Sequence, residues 1–363
     1  MKIRLLFLSL VACLCAGNQI AKAYAKDLVP GGENVGIEIR PDGLIISGTY
    51  DVKSGYTIYN PSRDSDIKRG DLLYEMEGNA ISSLEDFSTH FQKYVDEKEE
   101  VRIRLKRKEN SITRKLRIIK EDNRYRTGLY IKERLIGIGT VSFYDPDTKI
   151  YGALGHAIID NDSGTMVEVK SGAIYVSNVK GINKSTNGNP GEKVATFSNH
   201  ETLGTVLENT SIGIYGQYED LPNNKKPVPL AKHDEVELGS AEIYTVTEGQ
   251  NVMRYNIEIT QLKKQDVSDI KGITFKVVDQ TLLEKAGGIV AGMSGSPILQ
   301  NGKLIGAVTH VLVDKVQYGY GIYMEWMWEE AERLASTSTS FTNAVPNSYC
   351  LLDFDLCNNL IHY

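Results

Sequence analysis

Residues 287–310 read Gly-Gly-Ile-Val-Ala-Gly-Met-Ser-Gly-Ser-Pro-Ile-Leu-Gln-Asn-Gly-Lys-Leu-Ile-Gly-Ala-Val-Thr-His. At the centre stands Gly292-Met293-Ser294-Gly295-Ser296-Pro297. Glycines around a serine mark a tight loop in which no Cβ keeps a ligand away from the backbone. Short apolar runs at 288–291 and 297–299 read as strands on either side. Asn301-Gly302 is the signal of a two-residue hairpin, and 304–308 is the returning strand. Strand, serine loop, strand, hairpin, strand is a way to present a nucleophile, with the N–H groups of Gly292 and Ser294 as an oxyanion hole. Taken alone, the same pattern is also that of a plain tight turn.

A serine is a weak nucleophile and needs a base. Of the six histidines, His90 sits in a helical pattern, His362 near the terminus, His233 among charges and His200 in a polar stretch. His156 differs, ending the small-residue strand of Tyr151-Gly152-Ala153-Leu154-Gly155-His156. It is the leading base, with His310, also after a strand, second. The third member of such a site is a buried carboxylate that holds the imidazole tautomer. Asp279 follows the apolar run 273–278, whereas Asp160 and Asp162 read as turn residues. The order His156, Asp279, Ser294 is that of chymotrypsin-type enzymes, although spacing alone does not choose among the aspartates. The nucleophile elbow Gly-x-Ser-x-Gly is excluded, because position 296 is Ser.

The 363 residues suffice for two domains. A net charge of −6 gives no nucleic-acid footprint. All four cysteines, Cys13, Cys15, Cys350 and Cys357, lie outside 26–349, so the body is neither a disulfide scaffold nor a cysteine-nucleophile enzyme. No Cys/His cluster has zinc spacing, and no cofactor or metal is expected. Cys350 and Cys357 could pair in an oxidising compartment.

Lys2 and Arg4 precede the apolar run 5–16, and Ala23-Tyr24-Ala25 follows. This is the pattern of a secretory signal over 1–25. Uncleaved, it would associate the protein with a membrane. Residues 28–120 read as a small α+β domain, with strands at 35–39, 43–47, 72–76, 101–105 and 112–118 and a helical spacing at 84, 87, 91 and 94. With Gly70-Asp71 and Gly78-Asn79-Ala80-Ile81, this stretch resembles a PDZ domain of the bacterial protease type. The resemblance implies binding of peptide ends by strand addition. Its candidate glycine loop is 31–36, giving Gly32, Val35, Gly36 and Ile37 as peptide-binding residues. Ser65-Asp66 departs from the usual Ala-Gly of that family. From 128 to 335 short strands and turns suggest a second, all-β domain. The expected architecture is therefore mainly β: a trypsin/chymotrypsin-like double β-barrel peptidase after a PDZ domain. The run Ser-Thr-Ser-Thr-Ser at 336–340 is expected to be disordered, and it opens a tail, 336–363, expected to be flexible.

Gly155-His156-Ala157-Ile158, Val278-Asp279, the block 285–298, Gly306-Ala307-Val308-Thr309-His310 and Gly319-Tyr320-Gly321-Ile322-Tyr323-Met324-Glu325-Trp326 together resemble the SpoIVB family of stage-IV sporulation serine peptidases. The resemblance covers roughly 1–330 and implies His156, Asp279 and Ser294 as the triad. It further implies secretion from the forespore into the space between two membranes. The implied substrates are the peptidase itself and a membrane-bound regulatory subunit of an intramembrane protease that processes a late sigma factor. A non-catalytic PDZ adaptor and a serine esterase are the competing readings.

Overall fold

The computed structural model describes residues 26–222 and 225–342. The proposed signal segment with Cys13 and Cys15, and the end of the tail with Cys350, Cys357 and His362, lie outside them. Alternation sets the strands: in Glu100–Arg107, Val101, Ile103 and Leu105 are fully buried while their neighbours face water. Among the described residues three large sheets result, beside two two-stranded ribbons. One has nine strands, one has six, and six more close into a barrel.

The barrel runs Gly239–Val246, Val252–Leu262, Ile273–Val277, Tyr318–Tyr323, Lys303–Val311, Pro297–Gln300 and back to the first strand. Its interior is filled by Ile243, Ile257, Phe275, Ile298 and Val308. Burying each such side chain contributes about 1.5–3 kcal/mol. The hairpin after Gln300 forms as the dipeptide demands, with Asn301 at φ 51° and Gly302 at φ 76°. In the nine-stranded sheet, Leu135–Tyr144 is the spine. Its first half pairs with Asn34–Arg40, and its second with Ile150–Ala153 and Asp27–Pro30.

That topology corrects the reading of Gly32, Val35, Gly36 and Ile37 as a peptide-binding loop of the small domain. Strand Asn34–Arg40 is hydrogen-bonded on both sides, to Leu135–Tyr144 and to Ser171–Asn183. It has no free edge to offer a peptide. Gly32 N–H donates to the Val141 carbonyl at 2.8 Å. A Cβ on Gly36 would lie 2.1 Å from the Phe197 ring. These residues belong to the peptidase sheet, and the small unit is inserted between that strand and the spine.

In the inserted unit, strands Leu129–Lys132, Leu44–Thr49, Leu72–Met76, Glu100–Arg107 and Asn110–Arg117 lie side by side in that order. Helix Leu84–Tyr94 starts at a capping box: Ser83 Oγ accepts from the Asp86 N–H and Asp86 Oδ2 from the Ser83 N–H. It packs Phe91 and Tyr94 onto the sheet. Arg107 grips the buried Asp71 with two parallel bonds of 2.7 and 2.8 Å.

The run 336–340, expected to be disordered, instead continues helix Met324–Thr342. The inner face of this helix, Met324, Met327, Trp328, Ala331 and Leu334, recurs every three to four residues and packs between sheet and barrel. Ser336 Oγ donates back to the Arg333 carbonyl at 2.7 Å, so its hydroxyl is satisfied inside the helix. Among the described residues no helix is long and apolar enough to cross a membrane.

Candidate active site

Ser294 lies where the barrel meets the nine-stranded sheet. Gly292 and Gly295 flank it with φ of 90° and 94°, a region that other residues enter only under strain. The loop is fastened on the barrel side by Gly295 N–H donating to the Val308 carbonyl at 2.7 Å. Below it, Met293 is buried in the barrel core. Neither the Gly292 nor the Ser294 N–H donates to a backbone carbonyl among the described residues. The Ser294 hydroxyl donates to the Thr309 carbonyl at 2.9 Å.

The histidine arrives by a sharp turn. Leu154 and Gly155 both take left-handed backbone, φ 69° and 70°, immediately after strand Ile150–Ala153. For a leucine this conformation costs on the order of 1–3 kcal/mol, and such strain gathers at functional sites. Leu154 is held by its N–H to the Thr140 carbonyl at 3.2 Å. A Cβ on Gly155 would lie 3.0 Å from Thr309 Cγ2, which brings the turn against the residue that takes the serine hydroxyl. The His156 and His310 rings stand 5.0 Å apart.

His156 Nδ1 is 2.9 Å from the Ala157 carbonyl oxygen, which only accepts. Nδ1 therefore carries the proton, and in the neutral ring Nε2 keeps its lone pair. Burial holds the His156 pKa below its ordinary value, against the opposing pull of that hydrogen bond. His310 is lowered to about 4 by burial, with His156 and Lys271 adding to the effect. Its Nδ1 is buried without a hydrogen-bond partner among the described residues.

The turn that carries His156 and the loop that carries Ser294 thus meet at Thr140 and Thr309, whereas the Asp279 carboxylate has its partners elsewhere. Asp279 is the N-cap of helix Gln280–Ala286. Its two carboxylate oxygens accept from the Leu282 N–H at 3.1 Å and the Asn256 N–H at 3.2 Å. The correction has a local cause. An aspartate followed by Gln-Thr-Leu-Leu-Glu-Lys-Ala-Gly is a capped helix, closed by Gly287 in left-handed backbone. In this structure the Ala157 carbonyl does the tautomer-fixing that the sequence assigned to Asp279. Asp160 and Asp162 are turn residues tied to Lys132, as their sequence suggested.

Three residues at the site carried no signal in the sequence reading. Thr140 is fully buried and touches both halves of the site. Its N–H donates to the Ser294 carbonyl at 3.0 Å, its hydroxyl to the Gly292 carbonyl at 2.7 Å, and its own carbonyl accepts from Leu154. Thr309 takes the serine hydroxyl. Lys193 is buried beneath Gly292. A threonine inside a strand and a lysine in a polar run look like ordinary sheet residues, and only the pairing of distant strands reveals them.

Two crystal structures of the Rv3671c protease from M. tuberculosis are similar to the chain. The active form is 15% identical, covers 55% of this chain and 74% of that one, and has a TM-score of 0.31. The inactive form is 16% identical, covers 54% and 83%, and also has a TM-score of 0.31. No protein of curated function matches. The SpoIVB peptidase S55 family model matches residues 123–328, which takes in Thr140, His156, Lys193, Asp279, Ser294 and Thr309. With more than half of its length matched, and with serine and histidine gathered at one junction within that span, this chain belongs to the SpoIVB peptidase S55 family.

Proposed function

We propose that this serine peptidase is a secreted endopeptidase of sporulation signalling, with Ser294 as nucleophile and His156 as general base. The single observation that carries the catalytic part is Thr140, which holds the serine loop and the histidine turn at once. In the reaction, the Ser294 hydroxyl leaves the Thr309 carbonyl and turns to His156 Nε2. Its oxygen attacks the scissile carbonyl as the imidazole takes the proton. The imidazolium keeps its Nδ1–H on the Ala157 carbonyl. The N–H groups of Gly292 and Ser294 receive the oxyanion. His156 then protonates the leaving amine, and water releases the acyl group.

The inserted unit supports the proposal of a PDZ-like regulator. Its sheet ends in two edge strands, Leu129–Lys132 and Asn110–Arg117, where a peptide strand would add. The substrates we propose are the chain itself and a membrane-bound regulatory subunit of an intramembrane protease. The N-terminal segment would deliver the enzyme outside the forespore cytoplasm. The test uses purified full-length protein and its Ser294→Ala variant. Reaction with a fluorophosphonate and self-cleavage, followed by mass spectrometry, should both vanish in the variant while its thermal unfolding is unchanged. Self-cleavage at an equal rate in the variant would sink the assignment.

A further inference from the structure

Lys193 is 5% exposed, and burial alone acts on its charge, with no carboxylate among the described residues opposing it. Its Nζ donates to three neutral oxygens: Thr245 Oγ1 at 2.9 Å, Asn34 Oδ1 at 3.2 Å and Thr140 Oγ1 at 3.4 Å. These come from the barrel, the strand preceding the inserted unit, and the spine of the nine-stranded sheet. Desolvating an amine without a counter-charge is unfavourable, and an apolar side chain of like volume is often as stable or more so. Packing alone therefore does not explain a lysine here.

What an apolar chain would lack is a donor to Thr140. The Thr140 hydroxyl accepts from Lys193 and donates to the Gly292 carbonyl, and a hydroxyl polarised in this way is a stronger donor. The lysine also borders the loop directly. Its backbone N–H donates to the Ala291 carbonyl at 2.9 Å, and its stem lies 3.1–3.3 Å from the position of a Cβ on Gly292. Head, stem and backbone of one residue thus converge on the peptide units that orient the Gly292 and Ser294 N–H groups.

We propose that Lys193 is a positioning residue for the oxyanion loop, acting through the Thr140 hydroxyl that clamps the Gly292 carbonyl. This rests on the reading of Ser294 as nucleophile. The experiment measures the limiting rate and half-saturating concentration of phosphonylation by a fluorophosphonate probe. It compares the full chain with Lys193→Met, Thr140→Val and Thr140→Ser. Lys193→Met and Thr140→Val should lower the limiting rate roughly 10- to 100-fold, with the half-saturating concentration unchanged. Thr140→Ser keeps the hydroxyl and should stay within about threefold of the parent, as expected when only a methyl is lost. A Lys193→Met chain that reacts at the parent rate overturns the proposal. So does a Thr140→Ser chain as slow as Thr140→Val, since the methyl would then be what matters. Should Lys193→Met fail to fold, the two threonine variants decide by the same criterion. A parent chain that does not react at all removes the nucleophile reading instead, and the proposal with it.

Discussion

On the proposed mechanism the Ser294 hydroxyl must give up a 2.9 Å bond to the Thr309 carbonyl before it can meet His156, so Ser294 would rest in an orientation turned away from the base. Catalytic hydrogen bonds commonly tighten only when substrate is bound. Asp279 tests the assignment at this scale. Asparagine caps a helix as well as aspartate does, so Asp279→Asn should fold and react with a fluorophosphonate at close to the parent rate. A loss of roughly 10⁴-fold, as for a triad carboxylate, would return Asp279 to the catalytic group. His310 makes a second test. Its folded pKa, about 4, lies below its ordinary 6.5, so between those values the unfolded chain binds the proton and the folded chain does not. Stability is then lost as pH falls from about 6.5 towards about 4. Urea unfolding across that range should show a shallower decline for His310→Gln than for the parent, and parallel curves would refute the burial of a neutral imidazole. The placement of Ser294 in a glycine loop and of His156 just past a strand was legible because glycines and a strand end mark them. The competing claim on the Asp279 carboxylate was legible too, as a cap, but its place after an apolar run and the family resemblance pointed to a triad instead.

At the scale of elements, the serine loop works because glycine admits close neighbours on both sides. A Cβ on Gly295 would lie 1.9 Å from the Thr140 carbonyl oxygen and 2.5 Å from the Leu154 nitrogen, on a backbone with φ of 94°. Gly295→Ala should therefore push the loop off both halves of the site, lowering stability by more than the roughly 1–3 kcal/mol of backbone strain alone. Gly302→Ala is the control, because φ is also positive there yet nothing lies within 4 Å. It should show the strain without the loss of fluorophosphonate reactivity. Equal reactivity in the two variants would mean that the loop tolerates displacement. Elements with strong local signals were read correctly from sequence. The hairpin at Asn301-Gly302 and the helix Leu84–Tyr94 fall where turn chemistry and period place them. What a strand pairs with is a long-range matter, decided by which sheet can bury both of its faces. Asn34–Arg40 alternates like any strand, and nothing within it reveals that it lies between Leu135–Tyr144 and Ser171–Asn183. The run 336–340 misled for the same reason, since its helix is held by the apolar face that precedes it.

For the whole molecule, the consequence is that the peptidase does not begin after the inserted unit. A chain starting at residue 128 lacks Leu28, Val35, Ile37 and Ile39, all nearly inaccessible to solvent. At about 1.5–3 kcal/mol each, their loss is comparable with the 5–15 kcal/mol that stabilises a typical domain. It would also expose two long strand edges, a template for aggregation. The inserted unit itself should be removable. Ile39 and Leu135 face each other in register, so Arg40, the last residue of one strand, and Arg134, just before the other, are the next residues at this end of an antiparallel pair. An Asn-Gly turn replacing residues 41–133 would join them as an ordinary hairpin. Asp160 would lose Lys132 but keep the Ser163 N–H on its other oxygen at 2.9 Å. The shortened chain should then unfold cooperatively and react with a fluorophosphonate at Ser294, and on the proposed regulatory role of the inserted unit it should lose selectivity for a membrane substrate. The chain starting at 128 should be insoluble or unreactive. A soluble, reactive chain from 128, beside an excised chain that fails to fold, would mean that the inserted unit rather than the leading strand completes the peptidase sheet.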